Sequence, residues 1–219
     1  MTTAASIRRP PRGGREEKRL AIARAARTVF GREGYTRASV DAIAAEAGVS
    51  KRTVYNHHRD KKELFLAVLE ESTQAVADYQ AALLEKNLGT IGSLEDGLTA
   101  LGRDLAAPPR AFSGHFALVR VLIAEAPHLP REVLEGWRAN GPRRTSALLA
   151  RRLGELADEG LLKLDDPATA AARFAQLVTS DVFENSFHGA VPIPDAEIER
   201  IVTSGVRAFL ELYGPGTRP

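Results

Sequence analysis

Two adjacent histidines, His57 and His58, are the first residues whose types could do chemistry. They close the stretch VSKRTVYNHH, residues 49–58, beside two basic side chains, two hydroxyls, a phenol and an amide. Neighbouring imidazoles suggest a metal site or a proton-transfer pair. On a helix, however, successive side chains diverge by about 100°, so these two cannot grip one ion together. His115, His128 and His188 have no carboxylate or imidazole at metal-ligand spacing, and Glu184 with His188 makes at most a polar contact. The chain has no cysteine, which removes disulfides, thiolate zinc sites and thiol nucleophiles. It has neither a G-x-S-x-G elbow nor a glycine-rich phosphate loop. No catalytic residue, metal or cofactor is expected, and the chain is not expected to be an enzyme.

Charge points elsewhere. Residues 1–62 hold 15 Lys/Arg against 6 Asp/Glu, a balance of +9, whereas residues 63–219 hold 15 against 22, a balance of −7. One end suits a polyanion and the other does not. Apolar residues make up 44% of the 219 and charged residues 26%, as in soluble globular proteins. No apolar run approaches the roughly 18 residues that span a membrane. The basic N-terminus lacks the apolar stretch of a secretory signal, so a cytoplasmic location is expected.

The basic end must be built from short helices. Residues 1–15 are read as an unstructured basic arm, with Arg8, Arg9 and Arg12 placed to follow phosphates or enter a minor groove. Ile22, Ala26, Val29 and Phe30 then follow helical spacing, which Gly31 and Gly34 end. Ser39 caps a helix whose apolar side is Val40, Ile43, Ala44 and Ala47; Gly48 turns, and Ser50 caps a third helix to about His57. Two short helices joined by AGVS form a helix-turn-helix. In the second of them Lys51, Arg52, Thr53, Tyr55, Asn56 and His57 offer donors outward, while Val54 suits the interior. Arg52 can read guanine and Asn56 adenine by bidentate pairing. Lys61 lies in the first turn of the next helix, where a cation opposes the macrodipole, so a phosphate contact is its expected role. By this reading His57 faces the DNA side and His58 turns toward the core.

The remainder is helical throughout. Asp60 and Glu63 resemble a capping box opening a helix to about Asn87, roughly 40 Å long. Further helices are expected over 93–107, 111–126, 130–160 with a break at Gly141-Pro142, from Asp166-Pro167 to about 189, and from Asp195 onward. The fold class is all-α with about nine helices. The domains are the arm at 1–15, a helix-turn-helix domain at 16–60, and a ligand-binding and dimerisation domain at 61–214. The helix from Pro167 is apolar on two sides. Phe174, Val178 and Val182, with Val202, Val206 and Phe209 of the last helix, are assigned to a twofold interface; one larger monomer core is the alternative. Phe112, Phe116, Trp137, Phe183 and Phe187 are candidate pocket walls, with His115 and Asp181 as polar groups to orient a ligand. Nearby acids favour an apolar, cationic ligand.

The run AARTVFGREGYTRASVDAIAAEAGVSKRTVYNHHRDKKELFLAVL resembles the DNA-binding domain of the TetR (tetracycline-repressor) family of bacterial transcriptional regulators. Phe30, Gly34-Tyr35, Ser39-Val40, Ile43-Ala44, Ala47-Gly48-Val49-Ser50, Tyr55 and Lys62-Glu63-Leu64 carry the likeness. The resemblance implies a homodimer on a palindromic double-stranded operator. It places Ser39, Arg52, Thr53, Tyr55, Asn56, His57 and Lys61 at or near DNA contacts, and implies a C-terminal domain that binds a small-molecule effector. That domain is similar to those of AefR/AcrR-like members. One departure is His58, where the family usually has phenylalanine. A repressor released by its ligand is the leading expectation. A non-specific architectural DNA binder, and a small-molecule-binding protein or enzyme that has lost regulation and binds no DNA, are the alternatives.

Overall fold

The computed structural model describes residues 12–90 and 92–216, and among them every regular element is helical. The α-helices are α1 (Arg12–Arg37), α2 (Val40–Glu46), α3 (Lys51–Tyr55), α4 (Lys61–Leu88), α5 (Leu94–Ala106), α6 (Ser113–Ala124), α7 (Arg131–Arg138), α8 (Arg144–Asp158), α9 (Pro167–Asn185) and α10 (Asp195–Tyr213). A π-helical turn over Ala139–Arg143 joins α7 to α8, so the expected long helix with a break at Gly141-Pro142 is one kinked rod. Counting that rod once gives nine helices among the described residues. Helix α1 already begins at Arg12, so the arm read as 1–15 is too long by one turn. Arg8 and Arg9 lie outside the described residues.

The chain divides into two compact units at Val68/Leu69, inside α4 rather than before it as the 60/61 boundary had it. In the first unit Ile22, Ala26, Val29, Phe30, Ile43, Val54, Leu64 and Phe65 are buried. Phe65 meets Phe30 edge-on at 5.0 Å and Tyr35 at 5.0 Å, which locks α4's first two turns against α1. Helix α1 passes through Gly31 and breaks at Gly34, whose φ of 82° is costly for any residue with a Cβ. Gly48, at φ 64°, makes the turn between α2 and α3.

The second unit buries a leucine-rich core around α5, α8, α9 and α10. Leu98, Leu101, Leu153, Leu156, Phe174, Val178, Val202 and Phe209 are all inaccessible. Close approach needs small residues: a Cβ on Gly102 would lie 2.7 Å from Val202 Cγ1, and one on Gly205 2.3 Å from the Leu177 carbonyl oxygen. Asp166 caps α9 through the amides of Ala168 and Thr169, as its position before Pro167 predicts.

Candidate functional site: an exposed reading helix and an apolar cavity

The first unit presents α3. Ser50 Oγ accepts from the Thr53 amide at 3.1 Å, and Ser39 Oγ does the same for Ala42 at 3.1 Å, so both hydroxyls hold helix starts in place. Val54 alone of α3 is buried. Arg52 and Asn56 are exposed, and among the described residues their side chains make no internal bond. Tyr55 is 46% exposed. Lys51 Nζ donates to Asp41 Oδ2 at 2.8 Å on the surface, a pairing weak enough to yield to a phosphate. Thr53 Oγ1 is 2.9 Å from Ser50 Oγ. Arg52, Tyr55 and Asn56 thus stand exposed on α3 and its C-terminal cap, with donors and acceptors of the kind that can read base edges.

The histidines do not divide as cleanly as expected. Both are half-buried, with ring centroids 6.5 Å apart. Burial lowers the pKa of His57, and the guanidinium groups of Arg15 and Arg19 lower it further, so this ring sits beside the basic start of α1. Burial also lowers that of His58, with Glu63 opposing. The side chain of Arg12 lies outside what the structure describes.

Lys61 overturns its expected role. Its ammonium donates to the carbonyls of Tyr35 at 2.9 Å, Thr36 at 3.2 Å and Ala38 at 3.1 Å, and lies 4.8 Å from the Tyr35 ring centroid. Three donors meet three acceptors at the C-terminal end of α1, where a cation is favourable. Lys61 is therefore a tie between α4 and α1 in the free protein, with its three N–H donors used. Sequence reasoning weighed only the helix that carries Lys61 and not the helix end it reaches.

The second unit encloses a cavity of about 340 Å³ lined from α4 through α9, a size typical of small-ligand sites. His115, Phe116, Trp137 and Phe183 line it, as the sequence suggests. Phe112 instead packs on Tyr79 at 5.1 Å. Asp181 faces a separate groove on the outside of α9 and α10, and Phe187 is 69% exposed. Among the described residues no Asp, Glu, Lys or Arg lines the cavity, and Asp181, one of the acids behind the expected cationic ligand, lies outside it. Thr73, Gln80, Gly141 and His188 also line it, and sequence reasoning missed all four. The signal for Thr73 was its place on the apolar stripe of α4 between Leu69 and Val76. The cavity's outer end carries strain: Phe187 and His188 have φ of 49° and 52°, a conformation unfavourable for side chains with a Cβ. His188 stacks on Phe183 at 6.1 Å, and Arg120 donates to its carbonyl at 2.9 Å.

The six residues assigned to a twofold interface belong to the monomer core. Phe174, Val178, Val182, Val202, Val206 and Phe209 are at most 3% exposed in the single chain, and Phe174 meets Phe209 edge-on at 5.2 Å. The stripe packs inward on α5 and α8, so it has no face left for a partner.

An exposed donor-rich helix in a helix-turn-helix, on a chain whose other unit holds a cavity, fits a DNA-binding transcriptional regulator. The comparisons with known proteins agree. Residues 22–68 match the family model described as "Bacterial regulatory proteins, tetR family", and residues 96–215 match "AefR-like transcriptional repressor, C-terminal domain". The chain belongs to the TetR family of bacterial transcriptional regulators, which are not enzymes. It is similar to the HTH-type transcriptional repressor Rv1474c of Mycobacterium tuberculosis, with 26% identity over 87% of this chain and 93% of that one. A crystal structure of a TetR-family regulator from Mesorhizobium loti superposes with a TM-score of 0.80 at 32% identity, covering 91% of this chain and 98% of that one. The Flavonoid-responsive Regulator FrrA superposes with a TM-score of 0.70 at 25% identity, covering 92% of this chain and all of that one.

Proposed function

We propose that the protein is a homodimeric repressor that holds a palindromic operator with two copies of α3 and leaves it when a small molecule fills the cavity. Arg52, Tyr55 and Asn56 read base edges. Ser39, Ser50, Lys51, Thr53 and His57 flank them toward the phosphates, with Arg8, Arg9 and Arg12 beyond. The observation that carries the reading is the continuity of α4. Lys61 in its first turn is tied to α1, while Thr73, Val76, Ala77 and Gln80 of the same uninterrupted helix line the cavity. A ligand that displaces α4 moves the anchor of the reading unit. Recognition helices must lie about 34–36 Å apart to enter successive major grooves on one face of the duplex. To empty an operator, the ligand must favour the released spacing by several kcal/mol.

A replacement for the buried stripe as dimer face is the outer groove of α9 and α10. Leu177, Ala208 and Leu212 lie there among Arg173, Asp181 and Arg200, so opposite charges are available to pair across a twofold axis. The similarity to a flavonoid-responsive regulator supports a small-molecule effector. Selection of bound duplexes from a random DNA pool tests the operator claim. A recovered palindrome with half-sites one helical turn apart supports it, and affinity equal to that for random duplex replaces it with non-specific binding.

A further inference from the structure

One polar side chain of the cavity wall, His115, has its role fixed by chemistry. The Ser72 hydroxyl has one hydrogen and donates it to the Leu69 carbonyl at 3.0 Å. The same oxygen is 3.2 Å from His115 Nδ1. Both contacts are satisfied together only if His115 Nδ1–H donates to Ser72 Oγ. Its Nε2 then carries a lone pair and can only accept. Burial pulls the His115 pKa down to about 4, so the ring stays neutral at physiological pH. Around these groups the walls are flat rings: Phe116 lies 6.2 Å from Phe183, which stacks on His188 at an interplanar angle of 13°. Trp137 closes another side.

Resting on the ligand-release reading above and deepening it, we infer that the effector is a neutral hydroxylated aromatic compound. Its O–H donates to His115 Nε2. Among the described residues no Asp, Glu, Lys or Arg lines the wall, so a formal charge on the part of the molecule that enters would be desolvated without a partner. The ring walls suit a fused planar body, and the acceptor-only imidazole selects a hydroxyl over its ether.

The probes are 7-hydroxyflavone, 7-methoxyflavone and unsubstituted flavone. Binding to the full chain is measured calorimetrically and by quenching of Trp137, the sole tryptophan. Wild type is expected to bind the hydroxyl compound at least tenfold more tightly than either other probe. His115→Phe, which lacks the acceptor, brings that ratio close to one, whereas His115→Gln, which keeps an acceptor oxygen, retains part of it. Equal wild-type affinity for the three probes, a ratio unmoved in His115→Phe, or no binding of any probe overturns the inference. Operator binding is followed in parallel. A probe that binds with the expected ratio but leaves operator affinity unchanged refutes the release mechanism and leaves the ligand chemistry standing.

Discussion

Acid should destabilise this protein through one ring more than through any other histidine. His115 is 7% exposed, and burial holds its pKa at about 4 against an ordinary 6.5. The unfolded chain therefore takes up a proton near pH 6.5 that the folded chain refuses until about pH 4. Stability is complete above the unfolded value and falls as pH drops toward the folded one. Linkage gives a loss of about 2 kcal/mol between pH 7 and 5, and about 3 kcal/mol by pH 4. The assay is urea denaturation followed by Trp137 emission at several pH values, for wild type and His115→Phe. Carboxylates paired in the folded state, such as Glu63 and Glu135, add acid sensitivity of their own, but equally in both proteins. The difference between the two curves isolates the ring. Wild type should lose about 2 kcal/mol more than the variant between pH 7 and 5. Parallel curves would mean that His115 is hydrated or charged in the folded state, and the acceptor role assigned to Nε2 would fall with the burial.

Three further outcomes follow from the geometry. Lys61→Met leaves three carbonyls without their donor and should lower stability by about 2–3 kcal/mol, yet leave the salt dependence of operator binding as it was; a slope smaller by about one would return Lys61 to the phosphates. Arg52→Ala and Asn56→Ala should each cost about 1–3 kcal/mol on the selected operator and relax preference at one base pair, with no change in melting temperature; uniform weakening on all sequences would make them phosphate contacts. Leu177→Glu combined with Leu212→Glu should convert a dimer to a monomer in sedimentation, and an unchanged mass would remove the α9–α10 groove from the interface.

Local signals wrote most of the helix map. Caps at Ser39, Ser50, Asp60 and Asp166 and glycines at Gly34 and Gly48 act within a few residues of where they stand, so the sequence displays them directly. The reading helix was legible for the same reason, since a run of donors around a single Val54 can face only outward. What stayed hidden depends on partners distant in sequence. Lys61 finds its carbonyls 23 to 26 residues away. The apolar stripes on α9 and α10 look alike whether they meet α5 in the same chain or a second copy, and only their burial distinguishes the two. Phe112 and Phe187 show the matching limit for aromatics: helical spacing marks a ring as apolar without saying which side of a wall it joins. Thr73 was concealed differently. A lone hydroxyl on a core stripe reads as a tolerated impurity until the space beside it is seen.

The isolation of Arg52 and Asn56 from the rest of the fold has an evolutionary reading. Among the described residues neither side chain supports an internal bond, and Val54 with the Ser50 cap holds α3 in place without them. Surface exchanges of this kind usually change stability by no more than about 0.5 kcal/mol. The address a regulator recognises can therefore be rewritten at these positions while its scaffold remains intact. A duplicated gene could acquire a new target by one or two substitutions without passing through an unfolded ancestor.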